Sequence, residues 1–272
     1  MLIKLENRKN LKGALIWGGI LSFIIIIYLA FFPSMASSDF SELINSKLGF
    51  MPEGLLESFG LNDMPDFGVF LEYFCYVFQF IIIGLVIYGM ILGTKSIAKE
   101  EGDKSIEYLY SKPIKRSQIV TSKIISSFLM IILVMTMVLI SSIISTFFLN
   151  ETDSIKVIVL VHLFNLIPIL AYWMIGFIFS VILRDDSKSI VLALSFFFGT
   201  YLIGVISNTV DKLNFLKYFS PINYNPSVNV YKFFENINNV SLNMIGIIIC
   251  VILIIGGTIF TYLYYNKKDL YC

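Results

Sequence analysis

The chain of 272 residues is 57% apolar and only 14% charged, where a water-soluble domain averages about 25% charged and about 45–50% apolar. Its 20 basic and 19 acidic residues leave a net charge of +1, so no field of one sign points to a nucleic acid or another polyion. A mean hydropathy of +0.82, concentrated in long blocks, excludes a soluble globular enzyme, a disordered chain and a coiled coil, and leaves a polytopic membrane protein.

About 20 apolar residues in a helix cross a hydrocarbon core of about 30 Å. Six blocks free of Asp, Glu, Lys and Arg reach that length in chain order: 13–32, 73–94, 124–149, 157–183, 190–207 and 242–266. Runs such as Phe23–Ile27 and Phe80–Ile83 do not alternate in polarity as barrel strands do. The expectation is an all-α membrane protein, a single transmembrane domain of six helices, with the fourth kinked or tilted at Pro168. With the N-terminus inside, 15 of the 20 basic residues fall on inner segments and five on outer ones, which puts both termini in the cytoplasm. The first block is longer than the apolar core of a cleaved signal peptide and is expected to be retained.

Three connections carry information. The outer loop 33–72 is acidic and broken by Pro33, Pro52 and Pro65; one or two short interfacial helices fit its apolar spacing. The inner loop 95–123 reads KSIAKEEGDKSIEYLYSKPIKRSQIVTSK. From Asp103 to Ser111 it predicts a short amphipathic helix, ended by Pro113, with Ser117 placed to cap the third span. Composition alone makes this a solvated basic loop; the proline and tight spacing favour a rigid docking element for a cytoplasmic partner. The outer segment 208–241 is rich in aromatics and broken by Pro221 and Pro226, and reads equally as an interfacial belt or a re-entrant segment.

Catalytic chemistry is missing from the sequence. Cys75, Cys250 and Cys272 form neither a disulfide framework nor a CxxC pair, and His162 is the sole imidazole. HExxH, GxSxG and GxxxxGK[ST] are all absent. No catalytic residue, metal site or cofactor site is therefore expected in this chain. Gln79 and Asn165 read as interhelical hydrogen-bond groups and His162 as a packing residue. Gly89 and Gly93 in span two, and Ser195 and Gly199 in span five, have the four-residue spacing of close helix contacts. Such contacts would lie at a dimer interface, beside a path, or inside one subunit. Charge-free spans with neutral polar groups suit an amphipathic or hydrophobic cargo better than a caged ion.

The inner loop, with Glu101, Ser105, Glu107, Leu109, Ser111, Pro113, Arg116 and Lys123, resembles the segment between spans two and three of ABC-2 type transporter permeases. Ser220, Pro221 and Tyr224 are similar to that family's SPxxY before span six, and Lys267–Leu270 to its basic-Asp-Leu ending. The resemblance implies the membrane subunit of an ATP-binding cassette exporter in a cell membrane, paired with a second six-span subunit. ATP would be bound by a separate cytoplasmic ATPase, docked at Glu101, Ser105, Glu107, Leu109, Pro113 and Arg116. A non-transporting immunity or scaffold protein is the alternative reading. The richness in Ile, Lys, Asn and Phe suggests an AT-rich bacterial genome.

Overall fold

A computed structural model describes residues 2–37, 66–102, 114–183, 185–209, 211–237 and 240–268. Among these, six helices are long and apolar enough to cross a membrane. We number them span one (Leu2–Ala30), two (Phe70–Thr94), three (Arg116–Phe148), four (Ile155–Ile182), five (Asp186–Thr209) and six (Met244–Lys267). The shortest has 24 residues, about 36 Å at 1.5 Å per residue.

Several helices outrun their apolar blocks. Span one starts at Leu2, where the apolar block starts at 13, because Lys4, Glu6, Arg8, Lys9 and Lys12 are good helix formers that need no lipid. Span three starts at Arg116 rather than 124, and the Gln118 side chain accepts from the Lys115 N–H (3.2 Å). Ser117 is therefore not the cap; it lies in the first turn, and its carbonyl accepts from the Thr121 hydroxyl. The inner loop shrinks at both ends, since Ala98–Gly102 forms a one-turn helix, the elbow helix. The amphipathic helix expected over 103–111 lies outside the described residues.

Span one packs mainly on span three, span two on span four, and span six on span four. Small residues make the second pairing close. A Cβ on Gly93 would sit 2.5 Å from the Trp173 carbonyl oxygen, and one on Gly176 2.7 Å from that of Met90. Spans two and four are accordingly the most enclosed, while spans one, five and six keep broad apolar flanks such as Phe23, Val191 and Ile252 exposed.

Two asparagines with positive φ close helices. Asn150 (φ 60°) follows span three, and the next residue, Glu151, donates its N–H to the Thr146 carbonyl. Asn236 (φ 53°) does the same after the helix Ser227–Phe234, with Ile237 donating to Lys232. Asparagine tolerates this conformation, and the longer bond satisfies a carbonyl left open at the helix end.

Between spans five and six the chain does not run along the surface as a belt. Two 3-10 turns (Asp211–Phe219, Pro221–Asn223) and the helix Ser227–Phe234, here the return helix, pack against spans two, four and five. Ser220 and Val230 are fully buried. Asn165 of span four reaches the Ser227 hydroxyl (3.2 Å) from ten residues inside that helix, about 15 Å below its outer end. The segment folds back into the bundle.

Candidate functional site

At the end of the bundle that carries both termini, the turn after span two is held from three sides. Ser180 of span four is buried, and its hydroxyl oxygen accepts from the N–H groups of both Ile97 (2.7 Å) and Ala98 (2.9 Å). It thus caps the elbow helix from another element, satisfying donors that a helix start leaves open. Two residues on, Glu100 pairs with Lys123 of span three (2.7 Å) and with Lys9 of span one (3.2 Å). Lys123 also meets Glu6 of span one at 3.2 Å. Its side chain is only 2% exposed.

The electrostatics decide the protonation state. Burial opposes the charged form of Glu100, but the ammonium groups of Lys123 and Lys9 outweigh it and hold the carboxyl below its ordinary pKa. The carboxylate is therefore charged at neutral pH. Four charges from spans one and three and the elbow form one connected network, in which each buried charge has an opposite partner.

A second set of contacts closes the same end. Arg116 donates to the carbonyls of Tyr265, Asn266 and Lys268 (2.7–3.4 Å), and Lys268 donates to Val181 of span four (2.7 Å). Cations thus cover the carbonyl ends of spans four and six, where the helix dipole is negative.

The residues expected at a docking surface divide as follows. Arg116 is tied to span six. Glu101 follows Glu100 in the elbow helix. Ser105, Glu107, Leu109 and Pro113 lie outside the described residues. The sequence reading missed Glu100, Lys9 and Ser180. A clue to the first was present, because a lysine at the lip of an apolar block needs an acid nearby, and Glu100 and Glu101 both qualify.

The packing residues also divide. Gly89 and Gly93 face span four, with Gly89 next to Trp173 and Ile169. Ser195 and Gly199 lie on the exposed face of span five, and a Cβ on Gly199 would meet nothing within 4 Å. Deeper in the bundle, Asn165 donates to Val161 and Ser227. Its amide thus leaves the carbonyl freed by Pro168, that of Phe164, to other arrangements. His162 is buried beside Phe78 (ring centroids 4.3 Å) and donates from Nδ1 to the Ile158 carbonyl (2.8 Å). Gln79, Asn165 and Asn223 line a cavity of about 20 Å³, the size of one water molecule. In the SPxxY stretch, Tyr224 donates its hydroxyl to the Tyr218 carbonyl and lays its ring on Gly246, at the capped start of span six.

Six helices of membrane-crossing length agree with what the sequence comparison finds. The family of ABC-2 transporter proteins matches residues 1–270. The chain belongs to that family. No curated protein and no solved structure matches it significantly. Membership makes this chain the membrane-spanning permease component of an ABC transporter, a component distinct from the ATPase. In this ABC-2 permease the elbow after span two joins the inner loop to three of the six spans.

Proposed function

We propose that the protein is the permease subunit of an ATP-driven exporter in a bacterial cytoplasmic membrane. It pairs with a second six-span subunit and exports an amphipathic or hydrophobic compound, a peptide ahead of a lipid or drug. A separate ATPase binds the ATP and docks from the cytoplasm on residues 100–116. The observation that carries this reading is the braced elbow. A loop that receives force must pass it to the spans without yielding, and here Glu100 and the Ser180 cap connect the loop's first residues to spans one, three and four. The exposed small-residue face at Ser195 and Gly199 supplies a surface for the second subunit, since close helix approach in lipid depends on such residues. Neutral polar groups such as Asn165 and Gln79 favour an uncharged or amphipathic path over an ion cage.

The experiment is to co-express the chain with the ATPase subunit of its own operon and reconstitute the complex. Crosslinks from 100–116 to the ATPase, together with ATP hydrolysis stimulated by an amphipathic peptide, are expected. Crosslinks confined to residues 184–189 would overturn the docking assignment, and stimulation by sodium alone would overturn the cargo class.

A further inference from the structure

Span one, span two and the turn that follows it enclose a cavity of about 220 Å³ at the end of the bundle shared by both termini. Its lining is graded. Lys9, Lys95 and Lys99 stand at one end together with Glu6, and Trp17 and Tyr88 at the other, with their ring centroids 5.8 Å apart. Lys9 and Trp17 are eight residues apart on one helix, and Tyr88 and Lys95 seven, so the backbone positions that carry the lysines and the rings are separated by about 10–12 Å along the helices. That is the depth over which a bilayer passes from phosphates through the headgroup layer into its first methylenes.

The charges are not balanced within the site. Among the described residues Lys95 and Lys99 form no ion pair, whereas Glu6 and Glu100 are already engaged with Lys123 and Lys9. The Tyr88 side chain is buried, and its hydroxyl has no hydrogen-bond partner among the described residues. A buried donor in that position costs free energy unless a ligand or solvent meets it. Gly13 lies at the cavity edge, where a Cβ would touch nothing within 4 Å. On the same helix face, at i+3 and i+7, Ile16 and Ile20 are exposed, so the cavity opens toward lipid.

We propose that this cavity is a binding site for an anionic phospholipid of the cytoplasmic leaflet. The phosphate lies among Lys9, Lys95 and Lys99, each a compact cation suited to a phosphate monoanion. The Tyr88 hydroxyl donates to the glycerol ester region, and the upper acyl chain leaves past Gly13 along Ile16 and Ile20. Basic pockets between spans on the cytoplasmic side, with aromatic rings one layer deeper, match both parts of such a ligand. A soluble anion would use the lysines and leave the aromatic half and the lipid-facing opening without a function. The site does not depend on what the permease exports.

Native mass spectrometry of the full-length protein, titrated with phosphatidylglycerol or phosphatidylcholine, tests the assignment. Phosphatidylglycerol is expected to bind in preference. The Lys95→Gln/Lys99→Gln double variant should bind it about 25-fold more weakly, from about fivefold per lysine. Neither lysine belongs to the Glu100 network, so the variant's melting temperature should stay that of the wild type. Gly13→Trp, whose Cβ meets nothing within 4 Å and whose ring would occupy the opening, should weaken phosphatidylglycerol binding while leaving all three lysines in place. Equal phosphatidylglycerol binding by wild type and both variants would overturn the proposal. Displacement of the lipid by millimolar inorganic phosphate would show a free-anion site and would also overturn it.

Discussion

Lys123 has almost none of its side chain in contact with solvent, and its ion-pair partners come from two other elements, Glu6 and Glu100. Removing one member of a buried pair leaves the other uncompensated, at a cost of about 3–5 kcal/mol. Lys123→Met is therefore expected to lower the denaturation midpoint of the detergent-solubilised protein sharply. Glu100→Gln/Lys123→Met should recover part of that loss, because it removes both charges. The same network predicts a pH effect. The Glu100 carboxyl has a folded pKa below its reference of 4.5, so the unfolded chain binds the proton first. Its contribution to stability is complete above pH 4.5 and is lost as pH falls through the lower folded value. Melting temperatures measured across that acid window should fall less for Glu100→Gln than for the wild type. At this scale the sequence was only half legible. It marked Lys123 as a motif residue but did not single out Glu100 as its partner, because two adjacent glutamates differ only in the helical phase of a one-turn element.

The spans themselves were legible in the hydropathy pattern, since a charge at mid-bilayer costs on the order of 3 kcal/mol and every span core lacks one. Helix ends were not. Leu2–Lys12 and Arg116–Lys123 are helical through propensity and ion pairing, which a hydropathy count does not read. The return helix was left undecided because aromatics suit both a belt and a buried position, and Asn165 with Ser227 fixed the second. Small-residue spacing was ambiguous for the same reason: GxxxG states that something approaches closely but not what. Here Gly93 meets backbone atoms of span four at distances a side chain cannot share, while Gly199 meets nothing. Gly93→Leu should thus abolish folded monomer, seen as aggregation on size exclusion. Gly199→Leu should preserve the folded monomer and its melting temperature.

For the whole molecule, the positions of these contacts imply a division of labour. Spans two and four form the enclosed centre, the segment before span six folds back against both, and the elbow braces the end of the bundle that carries both termini. Spans one, five and six lie around that centre with apolar flanks exposed. If a second permease subunit pairs through span five, Gly199→Leu should act mainly on assembly, because Gly199 is exposed and an added Cβ meets nothing within its own subunit. The dimer fraction, measured by crosslinking in liposomes, should fall while the amount of folded chain stays constant. The elbow makes a complementary prediction. Glu100→Gln keeps the Ser180 cap and the size of the side chain, but weakens the link to spans one and three. In the reconstituted complex it should leave ATPase docking and basal hydrolysis close to wild type and reduce cargo export per ATP hydrolysed. A parallel fall in docking, hydrolysis and export would mean instead that Glu100 supports the fold of the inner end as a whole. An unchanged export-to-hydrolysis ratio would place force transmission elsewhere in the permease.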